Sequence, residues 1–250
     1  MKKFFPLCAV LLVAAGCQGG LKTATWSDEQ VLPLQEGRAD SLMMSISLEY
    51  PVKRAAEDVR AQITRGILGA AFDLEEEPGT VEETALRYED YLKDEYYTEN
   101  EKYLASTQTD GILSWEDRIN GYFSGRWGHY VSYMVEYYNF RGGAHGINTM
   151  TPIIFDVRTG EVVPEEEFFA DNYRTPVAGC IQAHLDEALE GDEESIAAIF
   201  EPDLVGPNGN YEITKDGVTW YYQPYDIAPY SVGVISVSVP WKELKEWVRE

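Results

Sequence analysis

From Trp127 to Tyr137 every second residue, Trp127, His129, Val131, Tyr133, Val135 and Tyr137, falls on one face of an extended chain. A run of that period is stable only as a half-buried strand, so the chain must build a sheet with one covered face. Leu42, Met44, Ile46, Leu48 and Tyr50 repeat the pattern before Pro51, as do Ile153, Phe155 and Val157 and the set Ile235, Val237, Val239 and Trp241. Two turns join extended runs: Arg158-Thr159-Gly160-Glu161 leads into Val162-Val163, and Asp216-Gly217 divides a hairpin over residues 211–222. Other stretches have the helical period. Ala56, Val59, Ile63, Ile67 and Ala70 form one stripe, and Ala85, Tyr88, Leu92 and Tyr96 another, the latter opened by Thr80 and Glu83 at capping-box spacing, with a second helix directly after it. Thr175-Pro176 reads as an N-cap and first-turn proline ahead of Val177, Cys180, Ile181, His184, Leu185, Ala188 and Leu189. A short helix capped by Asp192 and a closing helix through Leu244, Trp247 and Val248 complete the set. Helices and strands do not alternate strictly, so the expected class is α+β, with mostly antiparallel sheets packed with helices in two intimately packed modules.

Twenty Lys and Arg stand against 43 Asp and Glu, a formal charge of −23. Phosphate backbones are held by clustered cations, so this balance excludes a nucleic-acid binder working through a general basic surface. With 44% hydrophobic residues the acidity belongs to a folded surface rather than to a disordered acidic chain.

The amino terminus has its own chemistry. Lys2 and Lys3 precede a nearly wholly apolar run from Phe4 to Ala15, and Val13-Ala14-Ala15-Gly16-Cys17 ends it with small residues before a cysteine. About a dozen apolar residues are too few to span a bilayer. The pattern resembles a bacterial lipoprotein signal over residues 1–16, cleaved to leave Cys17 as a lipidated (palmitate-bearing) first residue; an ordinary secretory leader is the alternative. Loss of Lys2 and Lys3 lowers the formal charge to −25, so acyl burial rather than charge would hold the body at an anionic membrane. The partner implied is the membrane itself, through a lipid anchor, with an outer-membrane or periplasm-facing envelope location. Residues 17–38 read as a tether. Cys8 leaves with the leader, and Cys180 sits on an apolar helical stripe, where burial is expected.

Chemistry-bearing motifs are few. Gly142-Gly143-Ala144-His145-Gly146 puts three glycines in five residues. Such a turn either aims His145 into a shared pocket or simply connects strands while the imidazole bonds nearby backbone. His129, His145, His184 and Cys180 offer no metal-ligand spacing, so neither a metal nor another cofactor is expected. Nucleophile-elbow, Walker and dinucleotide-binding patterns are missing, and no enzymatic activity is expected; the alternative is a glycan-binding module with or without weak hydrolase activity through a carboxylate pair or His145. Glu75 to Glu77, Glu165 to Glu167 and Asp192 to Glu194 read as solvated runs beside helix ends. Tyr96, Tyr97, Tyr122, Tyr130, Tyr138, Tyr221, Tyr222, Tyr225 and Tyr230 either offer rigid contact area to sugars or proteins or pack between sheet and helices. Tyr225 and Tyr230, flanking Pro229, are the candidates for a surface or groove.

Three segments carry a family resemblance. Residues 137–146 (Tyr-Tyr-Asn-Phe-Arg-Gly-Gly-Ala-His-Gly), residues 154–161 with Glu167-Phe168-Phe169, and residues 222–233 followed by Val237-Ser238-Val239-Pro240-Trp241 resemble the extracytoplasmic part of RsiV-like anti-sigma factors, which join a PdaC-type (DUF4163) module to a DUF3298 module. The resemblance implies a first module over 39–147, a second over 148–250, and an α+β extracytoplasmic fold without an active site of its own. It also implies recognition of a lysozyme-type cationic protein or of peptidoglycan. The chain departs from RsiV in lacking a sigma-binding segment and a transmembrane helix, so sigma-factor control does not carry over. The deacetylase activity of PdaC does not carry over either. The binding residues expected are His145 with Gly142, Gly143 and Gly146, together with Tyr225 and Tyr230.

Overall fold

The computed structural model describes residues 21–74, 77–104, 106 and 111–249. The proposed leader, Cys17 and the pair Glu75-Glu76 lie outside the described residues. Among the described residues no helix is long and apolar enough to cross a membrane.

The first layer is a five-stranded sheet in the order β1 (Lys22–Pro33), β2 (Ser41–Lys53), β3 (Trp115–Trp127), β4 (Tyr130–Phe140), β5 (Ile147–Asp156). All neighbours are antiparallel except β2 and β3. That parallel pair requires a crossover, which α1 (Glu57–Phe72) and α2 (Val81–Leu104) supply. Ile63, Ile67 and Leu68 of α1 pack on Ile46, Leu48, Ile119, Phe123, Tyr133 and Phe155 of the sheet. Helix α2 covers the β1–β2 side, burying Leu92 and Tyr96 against Leu42, Met44 and Trp115. Its start is the expected capping box: the Thr80 amide donates to Glu83 Oε2 (2.9 Å) and the Glu83 amide to Thr80 Oγ1 (3.2 Å), and these bonds hold the Glu83 carboxyl below its ordinary value.

The second layer is a three-stranded antiparallel sheet of β6 (Tyr211–Ile213), β7 (Gly217–Tyr222) and β8 (Ile235–Pro240). Short helices pack around it: α3 (Glu165–Phe168), α4 (Arg174–Ala183), α5 (Leu185–Ala188), α6 (Glu193–Ala197) and α7 (Trp241–Leu244). Trp220, Phe168, Phe169, Val177, Ile181 and Leu244 form its core, which Ile154 of β5 enters. The two sheets meet at β6. Ile213 turns its backbone N–H and C=O away from β7, and the wholly buried Ser132 Oγ of β4 accepts from that N–H (2.9 Å) and donates to that carbonyl (2.7 Å). A side chain thus completes an otherwise open strand edge. The α+β class holds, with two sheets as the periodicity implied.

Several local expectations change. Residues 22–33, read as tether, form β1, because Trp26 joins the sheet core and Ala24 is also buried. The strand read from Trp127 to Tyr137 is divided between two: Gly128, at φ +59°, turns the chain so that Trp127 ends β3 and Tyr130 begins β4. Residues 148–156, assigned to the second module, continue β5 and pair with β4, so the first sheet extends past the boundary drawn at 147/148. The helix expected through Leu189 breaks at His184, and it starts at Arg174 with no side-chain cap, so Thr175 is not its N-cap. The Asp192 cap does form, accepting from the Ser195 amide at 2.9 Å. Glu165 is not solvated: it is 1% exposed and accepts from the Trp220 indole N–H and the Gly209 amide (2.9 Å).

Candidate functional site

The glycine-rich turn is built from buried charge outward. Asp117 of β3, 1% exposed, accepts from Arg141 (2.8 Å), Tyr137 Oη (2.9 Å) and Tyr88 Oη (3.0 Å). The Arg141 guanidinium also lies over the Trp115 ring, 4.9 Å from its centre. Burial beside this carboxylate pushes the Tyr137 and Tyr88 hydroxyls up. The last residue before the glycines is therefore fixed, and the chain leaves it through Gly142 (φ +83°) and Gly143 (φ +94°), a region that residues with a Cβ rarely adopt. Gly146 then settles so close to β4 that an added Cβ would stand 2.5 Å from Tyr138 Oη and 2.6 Å from the Asn139 carbonyl.

This path delivers the His145 ring onto Tyr230, with centres 3.8 Å apart and planes 20° from parallel. Tyr230 Oη donates to the Gly146 carbonyl at 2.5 Å, and His145 Nδ1 lies 3.3 Å from the same oxygen. The imidazole faces local backbone, as the connecting-turn reading has it, and its ring also stacks on a distant aromatic. Tyr225 adds a third ring 5.9 Å from Tyr230, is 59% exposed, and has φ +77°. The loop that carries these tyrosines is pinned to β5 by Gln223, which accepts from the Met150 amide (3.0 Å) and donates to the Met150 carbonyl (2.6 Å). Ile112, whose carbonyl lies against Gly142, and Ile147, just after the turn, are 55% and 39% exposed. The result is a rigid three-ring platform with exposed aliphatic neighbours.

Structure thus brings His145, Gly146, Tyr225 and Tyr230 together, with Gly142 and Gly143 supplying the turn. The other tyrosines divide: Tyr96, Tyr221 and Tyr222 are buried, and Tyr97, Tyr122, Tyr130 and Tyr138 are at most half-exposed. His184 is not a core histidine. It sits half-buried at the α4–α5 break, its ring nitrogens 3.3 Å from Glu187 Oε2 and 3.1 Å from Glu243 Oε2. Cys180 is half-buried, and burial raises its thiol pKa.

One closely coupled carboxyl pair exists elsewhere, Glu89 of α2 with Asp28 of β1. Burial first, then the Asp28 carboxylate, pushes Glu89 up to about 8. At 3% and 8% exposure the two are beyond reach of a substrate. Sequence reading passed over Asp117, Arg141 and Gln223. Asp117 had a visible signal, since Trp115, Asp117, Ile119, Gly121 and Phe123 alternate on one face once an inward aspartate is admitted. Gln223 had none, because its role rests on a contact 73 residues away.

No curated protein matches the chain. A DUF3298 family member from Bacteroides fragilis has the same fold, at TM-score 0.82 and 19% identity, over 93% of this chain and 95% of that one. A DUF3298 family protein from Pseudomonas aeruginosa PAO1 superposes at TM-score 0.62, also 19% identical, over 92% and 94%. Residues 166–242 match the model of the family described as protein of unknown function (DUF3298), a span that includes Tyr225 and Tyr230 and leaves the His145 turn outside it.

Proposed function

We propose that this chain is a lipid-anchored receptor of the cell envelope that captures a cationic, lysozyme-type protein and performs no catalysis of its own. The observation that carries the reading is the platform in which the half-buried Tyr230 joins the exposed Tyr225 and His145, on a chain of net charge −23. Opposite charge steers a basic partner toward the surface, and rigid aromatics with little side-chain entropy to lose are the residues best suited to hold it. The RsiV-like resemblance, including the DUF4163-type reading of residues 39–147, supports the same assignment, as does the lipoprotein-like leader ending at Cys17.

Titration with a c-type lysozyme at low and at physiological salt tests it. Saturable binding that weakens with salt is expected, and Tyr225→Ala should weaken it about ten-fold, in line with loss of one anchor residue. Absence of saturable binding together with undiminished lysozyme activity would refute the proposal. Loss of membrane partitioning in Cys17→Ser tests the anchor separately.

The near-parallel His145–Tyr230 stack favours a second reading, a platform for a peptidoglycan or other glycan sugar face. Binding of peptidoglycan fragments that is insensitive to salt and lost in Tyr225→Ala would select it over capture by charge.

A further inference from the structure

At the opposite end of both sheets from the ring platform lies a cleft of about 830 Å³ with a different chemistry. The platform adjoins the end of β3 where Glu116 meets Phe140 and the end of β7 where Tyr222 meets Ile235; the cleft adjoins Ser124 to Arg126 of β3 and the end of β7 where Gly217 meets Pro240. Eight residues of β3 separate Glu116 from Ser124 and five of β7 separate Tyr222 from Gly217, roughly 17–26 Å at 3.3 Å per residue.

In a chain with more than two acids for every base, this cleft gathers Arg126, Lys215 and Lys242 against Glu187 and Asp216, with His184 on its wall. Arg126 gives its Nε–H to the Gly128 carbonyl (3.0 Å) and, among the described residues, pairs with no carboxylate. Lys215 meets the exposed Asp216 at 3.6 Å, a pair that water largely screens, and Lys242 meets the half-buried Glu243 at 3.4 Å, a carboxylate that also faces His184 Nε2 at 3.1 Å. Hydroxyls line the floor. Thr219 and Ser238 sit opposite each other on β7 and β8, Oγ1 to Oγ 2.7 Å. Ser124 is the extra residue of a β-bulge, left out of the ladder between Phe123 and Gly125, and its buried Oγ has no protein partner. Bulges re-aim a side chain, and a buried hydroxyl without a partner costs stability unless something else satisfies it.

We propose that this cleft binds an acidic saccharide, with Arg126 and Lys242 holding its anionic group and Ser124, Thr219 and Ser238 bonding its hydroxyls. The volume fits a ligand of two or three sugar rings. Cations alone would suit any anion, whereas a hydroxyl floor beside them selects a ligand that pairs charge with many donors and acceptors. The proposal is independent of the ring platform and of any protein partner there.

Calorimetric titration of the full chain with digalacturonate, a phosphorylated sugar (glucose 6-phosphate) and neutral galactobiose tests it. Binding of either charged probe with none of the neutral disaccharide supports the proposal, and the better probe distinguishes a carboxylate from a phosphate as the anionic group. Arg126→Gln, at an exposed position, should weaken that binding about ten-fold, the effect of losing one charge-assisted hydrogen bond. Ser124→Ala should weaken it while leaving the unliganded protein as stable or more so, which a merely structural serine would not do. Absence of binding by both charged probes, equal binding of the neutral one, or unchanged affinity in Arg126→Gln would overturn it.

Discussion

Replacing Glu89 by glutamine should stabilise the protein, and by more as pH rises. Gln30 Nε2 donates to both Asp28 Oδ2 (2.8 Å) and Glu89 Oε2 (2.7 Å), so one amide bridges two carboxyls buried between β1 and α2. The Glu89 carboxyl takes up its proton near 8 in the folded chain, against 4.5 for an ordinary glutamate. Between those values the folded state holds a proton that the unfolded chain releases. Stability is therefore greatest below about 4.5 and falls as pH rises toward 8, by at most about 1.4 kcal/mol per pH unit. From 5 to 8 the ceiling is about 4 kcal/mol, and the Gln30 bond to the ionised form together with the effective dielectric of protein interiors reduces it to about 1–2 kcal/mol. The introduced amide can donate to Asp28 as the protonated acid does, and it cannot ionise. Urea unfolding of both proteins at pH 5 and 8 should show the advantage of Glu89→Gln growing by about 1–2 kcal/mol, or several degrees in Tm for a chain of this size. Parallel pH profiles for the two proteins would refute the reasoning.

Three further outcomes follow from named contacts. Ser132→Ala strips the partner from the Ile213 N–H and carbonyl at the joint between the sheets and should cost about 2–4 kcal/mol in chemical denaturation. Asp117→Ala leaves the half-buried Arg141 and the Tyr88 and Tyr137 hydroxyls without their shared acceptor and should cost about 2–4 kcal/mol, with a matching loss of lysozyme affinity if the turn beyond Arg141 carries the platform. Gly146→Ala forces Tyr138 or the Asn139 backbone to shift and should cost about 1–3 kcal/mol, read by thermal unfolding, with loss of the ring contact visible in the His145 NMR shifts.

How much of this was legible before folding depends on the range of the determining interaction. The capping box at Thr80, the Asp192 cap and the alternation in β2 and β8 are set within a few residues, and the chain shows them. β1 was hidden because its inward face passes from Trp26 to Asp28 and Gln30, polar residues that suit a core only opposite Glu89. The burial of Glu165 was hidden in the same way, since an acidic triplet looks solvated until Trp220, 55 residues away, supplies a donor. For the ring platform, the glycines and tyrosines were separately visible as unusual. Their meeting was not, because it rests on β5 lying beside the 223–230 loop.

The two surface features suit different partners, and the charge distribution explains how one chain can offer both. At physiological ionic strength the Debye length is about 8 Å, so a cleft roughly 17–26 Å from the platform, at least two Debye lengths, is largely screened from it. A basic protein approaching from a distance meets the summed field of an anionic molecule, while a small anionic sugar inside the cleft meets Arg126 and Lys242 at contact range, where nearby charges outweigh the net one. Occupying one site should then leave affinity at the other unchanged within about two-fold, because the sheets are joined at several packed contacts, Ser132 to Ile213, Ile154 in the second core and Gln223 to Met150, which would all have to move together. Lysozyme titrated in the presence and absence of saturating digalacturonate reads this directly. A change of ten-fold or more in either direction would mean that the joint at β6 moves, and that the ends of the molecule act as one device.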